Sequence, residues 1–265
     1  MVPFGQSQEY LGTFTFWIGL LFVTFPLNYL VYGLNDCNDV AADRVNERKG
    51  NYLFGAKAGR EQLKSVPKRI FFTILPFFLL FSVTKGLWMF ALLCLMVIVN
   101  IGYNFPPLRL KEKPPFEILI QSGYVITALF CVDLNQLKPL PWQTLVYLVL
   151  FAFQAHIAGE IMDIEPDRKA LKRTTATILG RKKSKILMLS LLLLESYLLW
   201  HWFGDWVLGG FLAIFSFWLI LDIFFIFKNR PYTTYQMKLF GYAMNASAIL
   251  SMMWVLYSGK LLLVV

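Results

Sequence analysis

The chain has 265 residues, 57% of them hydrophobic and 15% charged, with a mean hydropathy of +0.57 and a formal net charge of +9. These values exclude an ordinary soluble domain and point to a membrane protein. The excess positive charge sits in a few links between apolar runs, so it reads as membrane orientation, with no nucleic-acid partner.

In chain order, "MVPFGQSQEY" carries no Lys or Arg and lacks the basic flank of a signal peptide. The apolar run behind it is too long for one and reads as a retained spanning helix. Eight spans are predicted, at 10–34, 69–85, 87–103, 116–133, 141–160, 186–202, 206–227 and 238–258. The short links at Lys85–Gly86 and "HWFGDW" predict helical hairpins. Of the 25 Lys and Arg residues, 22 fall in segments 44–69, 103–115, 163–185 and 228–238. Alternating spans put all four on one side, leaving Lys85, Lys138 and Lys260 on the other. The positive-inside rule makes the crowded side cytoplasmic, with both termini outside. The cysteines (Cys37, Cys94, Cys131) show no disulfide or metal spacing and read as small buried thiols.

Two acidic clusters interrupt this pattern. The first, in "NDCNDVAADRVNERKG", is Asp36, Asp39 and Asp43. The second, in "GEIMDIEPDRKALKRTTATILG", is Glu160, Asp163 and Asp167. The spacing is identical. At about 100° per residue each trio falls within roughly 60° of a helix face. Each closes a span ending on the same side, so the two faces can meet at one depth. Pro166 is expected to put Asp167 on a kink or in the first turn of the loop. Solvated charge at helix ends would explain a single acid, but two matching trios of like charge call for a cation. Carboxylate oxygens suit a hard ion such as Mg²⁺, whose shell is often completed by substrate phosphate. All six acids are therefore candidate metal ligands. Arg44 and Arg48 follow the first trio, and Arg168, Lys172 and Arg173 follow the second. "YNFPPLRLKEKPP" adds Tyr103, Arg109 and Lys111 on the same side. These eight are candidate diphosphate contacts, whereas Lys182, Lys183 and Lys185 read as anchors to anionic headgroups. Asn100 and Asn104 read either as cavity lining or as packing between helices. His156, one turn before Glu160, reads as a buried, satisfied histidine, and His201 as interfacial. Two histidines so far apart argue against a histidine-based metal site.

"NDCNDVAADRVN" resembles the N-D-x-x-D-x-x-x-D motif of the UbiA-type intramembrane prenyltransferases, with Asn35, Asp36, Asp39 and Asp43 in the four positions. "YNFPPLRLK" is similar to that family's tyrosine, double-proline and Arg-x-Lys loop. "DIEPDR…TTATILG" resembles the second motif as lycopene elongases carry it. The resemblance implies an all-α membrane bundle around a central cavity. It also implies two Mg²⁺ ions, an allylic isoprenoid diphosphate donor and a lipophilic acceptor, either an aromatic or quinone precursor or a polyene. The catalytic set would be Asn35, Asp36, Asp39, Asp43, Asp163 and Asp167, in a multi-pass protein of the cell membrane with its site near the cytoplasmic face. The family usually has nine spans, but one alone precedes Asn35 here. The chain is read as a single domain, 1–265, without the family's first helix. Glu160 stands where many members have Asp.

Rival readings have distinct signatures. A cation-coupled transporter also uses intramembrane acids, but such sites lie near the midplane at broken helices. A CDP-alcohol phosphotransferase carries one compact acidic run with interspersed Gly and Arg. A UbiA-like terpene cyclase shares these motifs and stands as an alternative.

Overall fold

The computed structural model describes residues 11–51 and 53–262. Among them, eight helices are long and apolar enough to cross a bilayer: α1 (Phe14–Val45), α2 (Arg60–Lys85), α3 (Leu87–Asn104), α4 (Phe116–Leu134), α5 (Trp142–Lys169), α7 (Arg181–Phe203), α8 (Trp206–Phe224) and α9 (Thr234–Ser258). A short helix, α6 (Thr175–Leu179), lies between α5 and α7. The described residues contain no strand beyond one isolated bridge, Asn51 to Gly55. The bundle is therefore all-α, with the eight spans expected. The N-terminal flank assigned to the outer side lies outside the described residues.

α1 explains how apolar sequence presents polar chemistry. Thr13 caps its start by accepting from Phe16 N at 3.2 Å. At Val23–Leu27 the helix widens into a π turn around Pro26. Proline cannot donate to the ladder, and the loosened carbonyls find side-chain donors instead. Thr24 Oγ1 donates to Leu20 O at 2.7 Å, and Asn28 Nδ2 to Thr24 O at 3.0 Å. One turn further, Gly33 lets α2 approach closely. A Cβ there would lie 3.1 Å from both Ile70 and Val66 side-chain carbons. The helix then runs through all three aspartates before ending at Val45, so the first trio is helical throughout.

α1 to α4 share one apolar core, in which Phe22, Phe81 and Phe130 meet with ring centroids 5.2–5.5 Å apart. The second half is built on the α7–α8 hairpin. Gly204 takes the left-handed turn with φ 54°, and Asp205 caps α8 by accepting from Val207 N and Leu208 N, both at 3.0 Å. α9 is held at its ends and stands largely free between them. Tyr232, just before it, donates to Asp222 of α8, and Trp254 donates to Asp205 at 3.0 Å.

Two helix ends differ from the sequence expectation. α5 continues through Pro166 to Lys169, so Asp167 is helical rather than on a loop turn. The proline removes one donor only. Nearby, Arg181 Nη1 donates to Ile161 O at 3.0 Å, supplying a partner in the turn that the proline loosens. α2 begins at Arg60, nine residues before the predicted span, and brings Lys68 onto the helix.

Candidate active site

The two trios meet. α1 and α5 pack together, and Asp36, Asp39, Asp43, Asp163 and Asp167 line one pocket of about 450 Å³ at a single end of the bundle. Asn35, Arg48, Lys49 and Lys172 line it too, and Tyr32 stands on its wall. A shared face on each helix, set by the 3-and-4 spacing, is what lets five carboxylates converge here.

The charges are neutralised crosswise. The link after α1 supplies cations and amides to the trio on α5: Arg48 forms an ion pair with Asp163, and Asn46 Nδ2 donates to Asp163 Oδ1 at 2.9 Å. The link after α5 returns Lys172 to the trio on α1, 3.0 Å from Asp39 and 4.0 Å from Asp167. Lys111, from the link after α3, donates to Asp39 at 2.7 Å, to Asn104 Oδ1 at 3.1 Å and to Asn35 Oδ1 at 3.3 Å. Lys49 bridges Asp36 (3.5 Å) and Asp43 (3.3 Å). The two lysines on Asp39 differ electrostatically. Burial holds the pKa of Lys111 below the ordinary lysine value, with Asp39 opposing that trend. Burial also works against the charge of Lys172, but Asp39 and Asp167 outweigh it and raise its pKa.

The turn that delivers Arg48 is ordered by its own side chains. Asn51 Oδ1 accepts from Leu53 N and Phe54 N at 3.0 and 3.1 Å, and Gly50 and Gly55 take φ values of 95° and 89°. The Arg48 guanidinium lies 4.8 Å from the Phe54 ring centroid.

The other predicted residues fall in three groups. Tyr103 lies beside the pocket within electrostatic reach of Asp39 and Glu160, with its ring edge-on to His156 at 6.4 Å. Arg109 pairs with Glu112 at 2.7 Å, Arg168 reaches Glu165 at 4.0 Å, and Arg44 and Arg173 are exposed; none of the four lines the pocket. Glu160 also stands apart from it. Its Oε2 accepts from Ala176 N at 2.9 Å, and its Oε1 lies 3.1 Å from His156 Nε2. Glu117, on α4, accepts from Thr175 N at 2.5 Å. Two buried glutamates thus grip the start of α6, while Thr174 caps it by accepting from Thr177 N. The "TTATILG" run is this capped helix.

Sequence reasoning passed over Asn46, Lys49 and Glu117, and left Asn104 undecided. Asn46 and Lys49 stand in the same polar run as Arg48, but nothing in their spacing says which of them turns inward. Glu117 had a usable signal, as an acid near the start of an apolar span. Among the described residues, no three His, Cys, Asp or Glu side chains are placed to hold a metal ion by themselves. Hard oxygen donors lining a pocket beside basic side chains nevertheless suit Mg²⁺, which is usually held by one or two carboxylates, water and substrate phosphates.

The UbiA prenyltransferase family matches residues 6–259. A lycopene elongase/hydratase of Corynebacterium glutamicum is 30% identical over 187 residues, covering 69% of this chain and 64% of that protein. One from Haloarcula japonica is 30% identical over 195 residues, covering 74% and 64%. A C(50) beta-cyclic carotenoids biosynthesis protein of a Dietzia species is 26% identical over 172 residues, covering 62% and 39%. The matched part thus spans about 64% of the length of the first two relatives. No solved structure matches.

Proposed function

The chain belongs to the UbiA prenyltransferase family, and we propose that it transfers an allylic isoprenoid group from its diphosphate to a polyene acceptor within the membrane. The observation that carries this reading is the single pocket in which two helical acid faces meet a set of basic side chains. The polyene is suggested by the relatives named lycopene elongase/hydratase. The concentration of 22 of 25 Lys and Arg residues at the pocket end supports a cytoplasmic location for it.

Asp36, Asp39, Asp43, Asp163 and Asp167 would hold two Mg²⁺ ions against the donor diphosphate. Bound there, the ions would supply Lewis-acid neutralisation of the leaving group. Glu160, bound to α6, is left out of this set. Lys172, Lys49 and Arg48 line the pocket and Lys111 reaches Asp39 from beside it; each needs only a change of partner, from carboxylate to phosphate oxygen, to hold the departing charge. Asn35 and Asn104 accept from the Lys111 ammonium alongside Asp39 and help hold it in place. As the allylic C–O bond breaks, its electron pair leaves with the diphosphate. The acceptor double bond then attacks the allylic carbon, and the resulting cation loses a proton to give the elongated polyene. Tyr32 on the pocket wall and Tyr103 beside it would shield and stabilise the positive charge.

The test uses purified protein in lipid with Mg²⁺, labelled dimethylallyl, geranyl, farnesyl or geranylgeranyl diphosphate, and a linear polyene. Pyrophosphate release and product mass would be followed. The expected result is a polyene heavier by one donor group, abolished in Asp39→Ala and Asp163→Ala. Full turnover in both variants would sink the reading.

A further inference from the structure

We propose that the groove between α1 and α2 is a binding site for an anionic phospholipid of the leaflet that borders the pocket. The groove has a volume of about 660 Å³ and lies on the outer face of the bundle. Phe25 and Tyr29 line it from α1, and Ser65, Lys68, Arg69 and Phe72 from α2.

Its two ends differ in chemistry and in depth. Gly33 packs on Val66 and Ile70, which fixes Lys68 and Arg69 near the level of Gly33, one turn from the first trio. Tyr29 and Phe25 lie four and eight residues back along α1, roughly 6 and 12 Å deeper. The cations therefore stand at headgroup depth, and the aromatic rings reach into the hydrocarbon. The π turn shapes the deep end. It turns Pro26 inward, leaves Phe25 exposed, and stacks Phe25 on Tyr29 with centroids 6.2 Å apart and planes 5° from parallel. π turns of this kind are often found at functional sites.

Charge complementarity selects the occupant. Among the described residues neither Lys68 nor Arg69 makes an ion pair, unlike the pocket lysines, which all face aspartates. Two cations and the Ser65 hydroxyl suit a phosphodiester, with its acyl chain along the rings. Among the described residues no carboxylate lines the groove, so a metal-bridged diphosphate has nothing to dock on and a choline headgroup finds no counter-charge. A lipid seated here touches α1 directly and braces the helix that carries the first trio.

The test is a titration of delipidated protein in detergent with phosphatidylglycerol, phosphatidylcholine or inorganic pyrophosphate. Native mass spectrometry would read the bound lipid, and the thermal midpoint would read stabilisation. Phosphatidylglycerol is expected to bind and raise the midpoint, with phosphatidylcholine far weaker. In the Lys68→Ser/Arg69→Ser variant its affinity should fall about thirtyfold, from the loss of two basic contacts. Lys64→Ser, an exposed cation outside the groove, should leave it unchanged. Equal binding of phosphatidylcholine, an unaltered phosphatidylglycerol affinity in the double variant, or a midpoint rise with pyrophosphate that the double variant abolishes would each overturn the proposal.

Discussion

Lys185 and Asp222 pair at 2.9 Å between α7 and α8, sealed from solvent, while Lys172 and Asp39 pair at 3.0 Å beside an open pocket. The residue types are the same, and both clusters lie toward the charged end of the bundle. In the first, Lys185 also donates to Lys228 O at 3.0 Å and sits 4.6 Å from the Tyr232 ring centroid, and Tyr232 donates to Asp222. Every partner is fixed, and both side chains are buried. In the second, each cation faces carboxylates across a space a ligand can enter. An ion pair inside a membrane protein is thus a strut or an exchangeable site according to the room around it.

Substitution can break this contrast. The largest effect is expected at the pocket, where Asp39→Asn and Asp163→Asn should each lower prenyl transfer about a thousandfold, and the thermal midpoint of the more exposed Asp163→Asn should stay near that of the parent. At the strut the pattern should invert. Asp222→Ala leaves Lys185 buried without its counter-charge and should cost about 3–5 kcal/mol of stability, read by thermal unfolding in detergent. The paired change Lys185→Met/Asp222→Leu should recover most of that loss; if it does not, the cluster does more than brace helices. Next in size, Lys172→Met or Arg48→Met should raise the donor KM about thirtyfold with a smaller change in kcat, because each removes one charged contact to phosphate.

The smallest effect sharpens the strut. Burial and the Asp222 carboxylate hold the Tyr232 phenol well above its ordinary pKa. The folded state therefore keeps a proton that the unfolded chain releases near pH 10. Stability should fall as pH rises beyond that value. Tyr232→Phe should cost about 1 kcal/mol at neutral pH and flatten that alkaline decline, as followed by the thermal midpoint between pH 8 and 11.

Much of the arrangement was legible in the residues. Helical spacing put Asp36, Asp39 and Asp43 on one face, and charge asymmetry put Asp163 and Asp167 at the same end. The crosswise pairing was not legible, because it depends on how two links turn back. Arg44 and Arg48 differ by four residues in sequence, yet only Arg48 enters the pocket, carried by the Asn51 turn. Glu160 shares the spacing of its trio, but the fold spends it on the backbone of α6. Pro166 misdirected the reading of α5, since a single missing donor near a helix end is cheap when Arg181 binds a carbonyl close by.

The crosswise pairing also sets an order of assembly. Asp39 lies on the first span, but its two cations arrive with Lys111 and Lys172, after the third and fifth. Lys49 faces Asp36 and Asp43 as soon as the first link is made, but until residue 172 has been synthesised Asp39 lacks one of its two cations. A nascent chain stopped before residue 111 holds Asp39 with neither of its cations, available to any passing cation or quality-control factor. Completion of the fifth span and its link is therefore the earliest moment at which Asp39 has its full set of partners.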